Sequence, residues 1–310
     1  MTVPHAVTAA VLGVAVAIGA VVAQANELRI GTASQGGAFY PVGQAISSLV
    51  GKHAEGLTMV PVVTGGSVQN PRLVNKGEVD MAITNNNLAV LANKGVGPYK
   101  KGGKMNLRAI GPLHFSVLHM MTLESSDIAG IPDLKGKRVA VGPAGGGTIP
   151  FLRQVLGLYD MTMEDITPNF LSYGDGFSQL ADGNVDAAFA LSGYPAGAVV
   201  QAQANKKLKF IKLPEADMAK ALDKYKNYNK VTIAKDVYGT DEDGAVLGVN
   251  NMLIVDAGMA DDVANKITKA VYDNLEEFRQ ENAHARQIEP ERAHKLKIPL
   301  HPGAASYWNK

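Results

Sequence analysis

Residues 28–45, LRIGTASQGGAFYPVGQA, constrain the chain more than any other stretch. Residues 28–32 form a short apolar run that reads as a strand, residues 34–37 as a turn, and from Phe39 the pattern suits a helix. Pro41 is tolerated in the first helical turn, whose N–H groups have no intrahelical partner. A strand, a glycine turn and a helix start together predict an anion site: free N–H groups point outward, the helix dipole adds positive potential, and Gly36 and Gly37 allow close approach to the backbone. The same grammar recurs with RVAV at 138–141, GPAGGGT at 142–148 and a helix over 149–159. Downstream, KGEVDMAI (76–83) and DGNVDAAFA (182–190) share Gly-x-Val-Asp-x-Ala, with Gly77 and Gly183 where helices stop. The repetition predicts two similar α/β lobes, although any α/β protein repeats such units.

At 310 residues the chain is long enough for two domains with real cores. Its net charge of +1 and the lack of a basic stripe with interleaved aromatics argue against a nucleic-acid partner. With no cysteine, disulfides, thiol nucleophiles and cysteine metal sites are excluded. Residues 6–23, AVTAAVLGVAVAIGAVVA, are almost continuously apolar and lead to Ala23-Gln24-Ala25, a small-x-small cleavage pattern. Residues 1–25 are therefore read as a signal peptide, which places the mature protein in the periplasm. Residues 1–5 lack Lys and Arg, so an uncleaved anchor is the alternative; roughly 18 apolar residues just span a bilayer.

Along the chain, strands are predicted at 57–63, 79–83, 107–113, 116–123, 170–172, 185–191, 207–213 and 246–255. Ser67 is expected to cap a helix through Asn75, and Asp175 one through Asp182. Residues 261–280 form an amphipathic helix with Val263, Ile267, Ala270, Val271, Leu275 and Phe278 on one face. The segments 107–123 and 246–255 carry the chain between the lobes and back. The expected domains are residues 26–115 plus 250–310, and residues 116–249. Ligands of parallel α/β sheets bind beyond the carboxyl ends of the strands, which favours reading Asn85, Asn86 and Asn87 as amides at a cleft rather than as a left-handed turn.

Enzymatic chemistry finds little support. There is no Gly-x-Ser-x-Gly elbow, no Walker lysine signature and no Gly-x-Gly-x-x-Gly, and the histidine spacings (114/119, 284/294) do not suit a helical zinc pair. No cofactor, metal or catalytic residue is expected. The turns instead carry hydroxyl and amide groups, namely Thr32, Ser34, Gln35, Tyr40, Ser67, Asn85, Asn87, Thr148, Ser192 and Tyr194, which suit a small polar or anionic ligand.

The ordered set IGTASQGGAFYPVGQAI, TGGSVQNPRLVNKGEVDMAI, GKRVAVGPAGGGT, ADGNVDAAFALSGYP, GVNNMLIV and HPGA resembles the TAXI subfamily (TRAP-associated extracytoplasmic immunogenic proteins) over nearly the whole mature chain. These are solute receptors of tripartite ATP-independent periplasmic (TRAP) transporters. The resemblance implies an α/β, two-lobed, type II-like periplasmic-binding-protein fold with ligand in the interlobe cleft. It further implies a monomeric receptor that delivers a small organic acid or acidic amino acid (glutamate, glutamine or a dicarboxylate such as 2-oxoglutarate) to TRAP membrane permease subunits driven by an ion gradient. The matching positions are Thr32, Ser34, Gly37 and Tyr40 in the first motif; Ser67 in the second, with Asn85 and Asn87 after its strand; Gly146, Gly147 and Thr148 in the third; and Ser192 and Tyr194 in the fourth. Ala33-Ser34-Gln35 departs from the frequent Gly-Gly-Thr, and the Asn85–Asn87 run reads as particular to this chain. Both departures bear on ligand choice. An ABC-type or sensor-linked binding protein, or an enzyme on the same fold, are the alternatives.

Overall fold

The computed structural model describes residues 26–309; the predicted signal peptide lies outside the described residues. The first half of the molecule runs β1 (Asn26–Gly31), α1 (Phe39–His53), β2 (Leu57–Val62), α2 (Asn70–Asn75), β3 (Met81–Asn85), α3 (Asn86–Lys94) and β4 (Leu107–Leu123). The second runs β5 (Arg138–Ala140), α4 (Thr148–Leu156), β6 (Thr167–Asn169), α5 (Tyr173–Ala181), β7 (Ala187–Ser192), α6 (Gly197–Asn205), β8 (Leu208–Phe210), α7 (Glu215–Lys224) and β9 (Tyr228–Ile233). The chain returns through β10 (Gly244–Asp256) and ends in α8 (Asp261–Tyr272), α9 (Leu275–Glu281) and α10 (Pro302–Trp308). No helix among the described residues is long and apolar enough to cross a membrane.

One sheet joins these strands in the order β2-β1-β3-β10-β4-β7-β5-β6, with β8 paired to β4 and β9 to β10. The trios β2-β1-β3 and β6-β5-β7 are each parallel and each built around the strand that precedes a glycine turn. The repeated Gly-x-Val-Asp has a physical origin. Asp80 Oδ2 accepts the Arg29 backbone N–H and Asp186 Oδ2 that of Arg138, both at 2.7 Å. Each arginine also donates from Nη2 to the preceding glycine carbonyl, Gly77 at 3.2 Å and Gly183 at 3.0 Å. Gly77 and Gly183 both have positive φ, the left-handed helix stop that a side chain would strain. The motif thus locks the entry of one parallel strand to its neighbour, once in each half.

Apolar side chains alternate across the sheet with period two, as a sheet covered on both faces requires. Leu28, Ile30, Leu253 and Val255 pack against α1, α8 and α9, while Leu107, Ala109, Met252 and Ile254 pack against α2 and α3. In the second half Leu118, Val139 and Leu247 meet Phe151 and Leu152 of α4, and Val117, Ala188 and Val246 meet Phe177 and Val199. The apolar clusters divide between Leu113 and Val117 on β4 and between Val249 and Met252 on β10. At that division the β4–β10 register slips between Asn250 and Met252, opposite Pro112, which has no N–H for the ladder.

Several elements differ from the sequence expectation. The strands predicted at 107–113 and 116–123 are one strand, β4, buried along most of its length. The strand predicted at 170–172 lies instead at 167–169, where it pairs with β5. That leaves Ser172 to cap α5: its Oγ accepts from Asp175 N at 3.1 Å, so Asp175 sits in the first turn rather than at the cap. Ser67 does not cap a helix either. The N–H groups of Gln69 and Asn70 both bond Gly66 O, and regular helix begins at Asn70. The predicted 261–280 helix breaks at Asp273 and Asn274, two weak helix formers, where Asn274 Nδ2 bonds back to Ala270 O at 3.0 Å.

Candidate functional site

The two glycine turns face each other. Beyond the carboxyl end of β1 the chain turns through Gly36 into α1; beyond β5 it turns through Gly142 into α4. Both helices start without a side-chain cap, and the first N–H groups of any α-helix have no intrahelical partner. Ala33, Gly37, Phe39, Gly66 and Ser67 from the first half and Gly146, Gly147, Tyr173 and Leu191 from the second enclose a small cavity.

The halves touch around its rim. Val68 N and Gln69 N donate to Gly145 O at 3.0 and 3.1 Å, and Ala198 N donates to Gly36 O at 2.9 Å. Ala38 N donates to Ser192 Oγ at 2.9 Å, and Gln287 Nε2 to Tyr194 O at 3.2 Å. Glycine is required for this approach. A Cβ on Gly145 would lie 3.1 Å from Gly65 Cα, one on Gly37 2.9 Å from the Tyr173 ring, and one on Gly147 2.5 Å from Asn85 Oδ1. The cavity is small, about 10 Å³, about the room of one water. A larger ligand does not fit this cavity as it stands.

The expected site residues fall into three groups. Gly37, Ser67, Gly146 and Gly147 line the cavity, with Asn85 and Ser192 at its edge. Asn85 Nδ2 donates to Asn251 Oδ1 at 2.7 Å, and Asn251 Nδ2 to Ser116 Oγ at 2.9 Å, so a buried amide relay joins the cavity to the strands that cross between halves. Asn85 Oδ1 and Ser34 Oγ are buried and take no hydrogen bond. Thr32 and Thr148 turn inward. Thr32 Oγ1 donates to Val62 O at 2.8 Å, while Thr148 Oγ1 accepts from Leu191 N at 3.1 Å and bonds Tyr173 OH at 2.7 Å. Both hydroxyls are spent on holding their turns. Tyr40, Asn87 and Tyr194 do not line the cavity; they are partly exposed, and Tyr194 contributes its backbone carbonyl to the rim.

Other contributors lie outside the expected set. Phe39 and Leu191 line the cavity as apolar walls. Tyr173, fully buried, has its phenol pushed up by desolvation. Asn70 is also fully buried and fixes the first turn: its Nδ2 reaches Thr32 O at 2.7 Å and Ile83 O at 2.6 Å, while Oδ1 accepts from Thr64 Oγ1. Behind Phe39, the His114 and His284 rings lie 5.4 Å apart, and a Cβ on Gly193 of the opposite half would come within 2.9 Å of both. Burial holds both imidazoles below their usual pKa, His114 the more strongly because it is the more deeply buried, with His284 beside it adding to the shift. No group of three or more His, Cys, Asp or Glu able to hold a metal occurs among the described residues.

Residues 30–309 match the NMT1-like family. The chain belongs to that family. Among solved structures, a Listeria monocytogenes protein described as an L-cystine ABC transporter matches with TM-score 0.53 at 12% identity, covering 85% of this chain and 98% of that one. A Bordetella bronchiseptica RB50 protein matches with TM-score 0.53 at 15% identity, covering 88% and 81%. The periplasmic aliphatic sulphonate binding protein SsuA of Escherichia coli matches with TM-score 0.46 at 16% identity, covering 91% and 78%. The fold of this NMT1-like chain is thus the mixed α/β fold of the Listeria and Bordetella proteins.

Proposed function

We propose that this NMT1-like chain is an extracytoplasmic solute receptor that closes its two lobes, residues 26–115 with 250–310 and residues 116–249, on a small carboxylate. The observation that carries the reading is the pair of uncapped helix starts, α1 and α4, brought face to face across a cavity rimmed by glycine from both halves. Backbone N–H groups there favour negative charge. Ser67 adds a hydroxyl, and Asn85 Oδ1 at the cavity's edge adds an acceptor with no partner of its own, while Ser34 does not line the cavity. An acceptor beside an anion site suits a ligand carrying both a carboxylate and a donor, which favours glutamate over 2-oxoglutarate. The burial of Thr32 and Thr148 removes their hydroxyls from the ligand set and assigns them to positioning. Delivery to an ion-gradient-driven TRAP permease, export through a signal peptide at 1–25 and action as a monomer complete the proposal, supported by the resemblance of the motifs.

The test is thermal unfolding of residues 26–310 against glutamate, glutamine, 2-oxoglutarate, succinate, malate, cystine, neutral amino acids and sugars. Ligand at about 100 times its dissociation constant adds roughly 2.7 kcal/mol to stability. The expected result is a raised midpoint with glutamate and little change with sugars. A midpoint that moves with none of the acids, in protein shown by mass spectrometry to carry no co-purified solute, contradicts the reading.

A further inference from the structure

Two imidazole rings lie beneath a segment where the halves touch. Ser192-Gly193-Tyr194, at the end of β7, is tied to the first half on both sides: Ser192 Oγ accepts the Ala38 N–H at 2.9 Å, and Tyr194 O accepts from Gln287 Nε2 at 3.2 Å. Between these ties Gly193 rests on His114 of β4 and on His284 of the turn Ala283–Gln287. A Cβ at Gly193 would lie 2.8 Å from His284 Nδ1, 2.9 Å from His114 Cδ2 and 3.0 Å from Ala38 Cβ. We propose that His114 and His284 form a pH latch: the second half settles onto them only while both rings are neutral, and mild acid lifts it and releases the solute.

The packing at this contact leaves no place for an imidazolium. An imidazolium has two N–H donors and needs an acceptor or water for each. Both nitrogens of His114 and Nδ1 of His284 are buried without a partner. The rings lie 5.4 Å apart, so two charges would also repel each other. The surroundings offer no compensation. Phe39 of α1 meets His114 edge-on. On β4, His119 is itself buried and faces Tyr238, and Tyr272 of α8 donates to Pro112 O. Tyr194 turns its carbonyl to Gln287. Arg286 is exposed, and Arg292, over the neighbouring Phe115 ring, pairs with Glu289. Among the described residues the ion pairs that involve histidine are those of His53 and His301, so no carboxylate reaches either ring.

Position makes this a latch rather than a feature of one core. A histidine buried inside one half gains water only when that half unfolds. These two gain it when Gly193 lifts, with each half intact. The open form therefore takes up protons more readily than the closed form, in keeping with burial holding both rings below their usual value. Protons bound to the open form oppose closure, so affinity falls as pH drops through about 6.5. The latch rests on the reading that the halves close on a solute.

The experiment is calorimetric titration with glutamate at pH 7.5, 6.5 and 5.5, with the fold checked by circular dichroism at each pH. One ring that titrates near 6.5 in the open form and stays neutral in the closed form weakens binding about ten-fold over this range. The expected result is binding at least five-fold weaker at pH 5.5 than at 7.5. His114→Phe/His284→Gln is expected to hold its affinity within two-fold across the range, and His284→Gln, at the less buried position, to show a smaller fall than wild type. His119 is present in all of these proteins and cannot account for the difference. His53→Gln, which removes an exposed ring, is expected to keep the wild-type response. Glutamate affinity that stays level down to pH 5.5, or a full wild-type response in both His284→Gln and the double variant, overturns the latch and leaves the receptor reading intact. No binding of glutamate at pH 7.5 overturns the choice of glutamate and the latch with it.

Discussion

Gly147→Val is expected to weaken solute binding more than 100-fold while leaving the folded protein intact. The backbone at Gly147 has φ −71° and ψ −17°, an ordinary right-handed conformation, so a side chain introduces no local strain. The conflict arises between the halves: a Cβ would meet Asn85 Oδ1 at 2.5 Å and Ser67 Cβ at 3.3 Å from the first half, and Leu191 Cδ2 at 2.9 Å from its own. Valine adds further methyl groups at the same spot. The variant should hold the cleft open, and a 100-fold loss corresponds to about 2.7 kcal/mol of lost closure. Titration of wild type and variant with glutamate, beside their ligand-free melting curves, makes the check. Wild-type affinity in Gly147→Val would show that the solute does not bind between these turns.

The second large effect concerns pH. Global stability is expected to fall as pH drops from about 6.5 towards 4. His119 is fully buried; its Nε2 lies 2.7 Å from Tyr238 OH and its Nδ1 3.2 Å from Ala190 O. Tyr238 OH also accepts the Ala196 N–H at 2.7 Å, so its own proton goes to Nε2 and the neutral ring carries its proton on Nδ1. Burial lowers the pKa of this ring to about 4, against the upward pull of the bond to Ala190 O. His114 is lowered well below its usual value by burial and by His284, and His284 by burial. A lowered folded-state pKa means that the unfolded chain takes up protons first as pH falls, so stability is lost across the interval between the two values. For His119 that interval, from about 6.5 to about 4, corresponds to about 3 kcal/mol. The hydrogen-bonded carboxylates Asp186 and Glu277 are also held low, and their contribution is lost only at more acidic pH. Urea unfolding at pH 7, 6 and 5 is the measurement. Neither nitrogen of His114 has a partner, so His114→Phe is expected to be at least as stable as wild type at pH 7 and to lose less by pH 5. A stability that stays flat from pH 7 to 5 contradicts buried neutral histidines.

The backbone of the site could be read from the chain because it depends on local chemistry. A strand, a glycine turn and a helix start are written into residues 28–45 and again into 138–159, and Gly-x-Val-Asp repeats because Asp80 and Asp186 do the same job on Arg29 and Arg138. The roles of individual side chains were less legible. A threonine in a glycine turn looks like a ligand donor whether its hydroxyl faces the cleft or, as at Thr32 and Thr148, a carbonyl or phenol of its own half. Phe39, Tyr173 and Leu191 reach the cavity from positions that pattern alone assigns to the core. His114 and His284 meet only through the return of the chain, which no local spacing encodes. Among the elements, α6 went unread because its alanine-rich sequence has little contrast between faces, and β9 because exposed Asn229 and Lys230 interrupt its alternation.

Closure of the two halves on a small carboxylate can be followed by a distance. The chain has no cysteine, so two can be introduced for spin labels without interference. Val63, after β2, and Phe170, after β6, are more than half exposed and follow the outermost strands of the two parallel trios. Pulsed electron resonance on the doubly labelled protein, without solute and with saturating glutamate, reports the separation. Closure of the halves predicts a longer, broader distribution without solute and a single shorter distance with it. One unchanged distribution in both conditions, in protein that demonstrably binds glutamate, would contradict closure as the mode of binding.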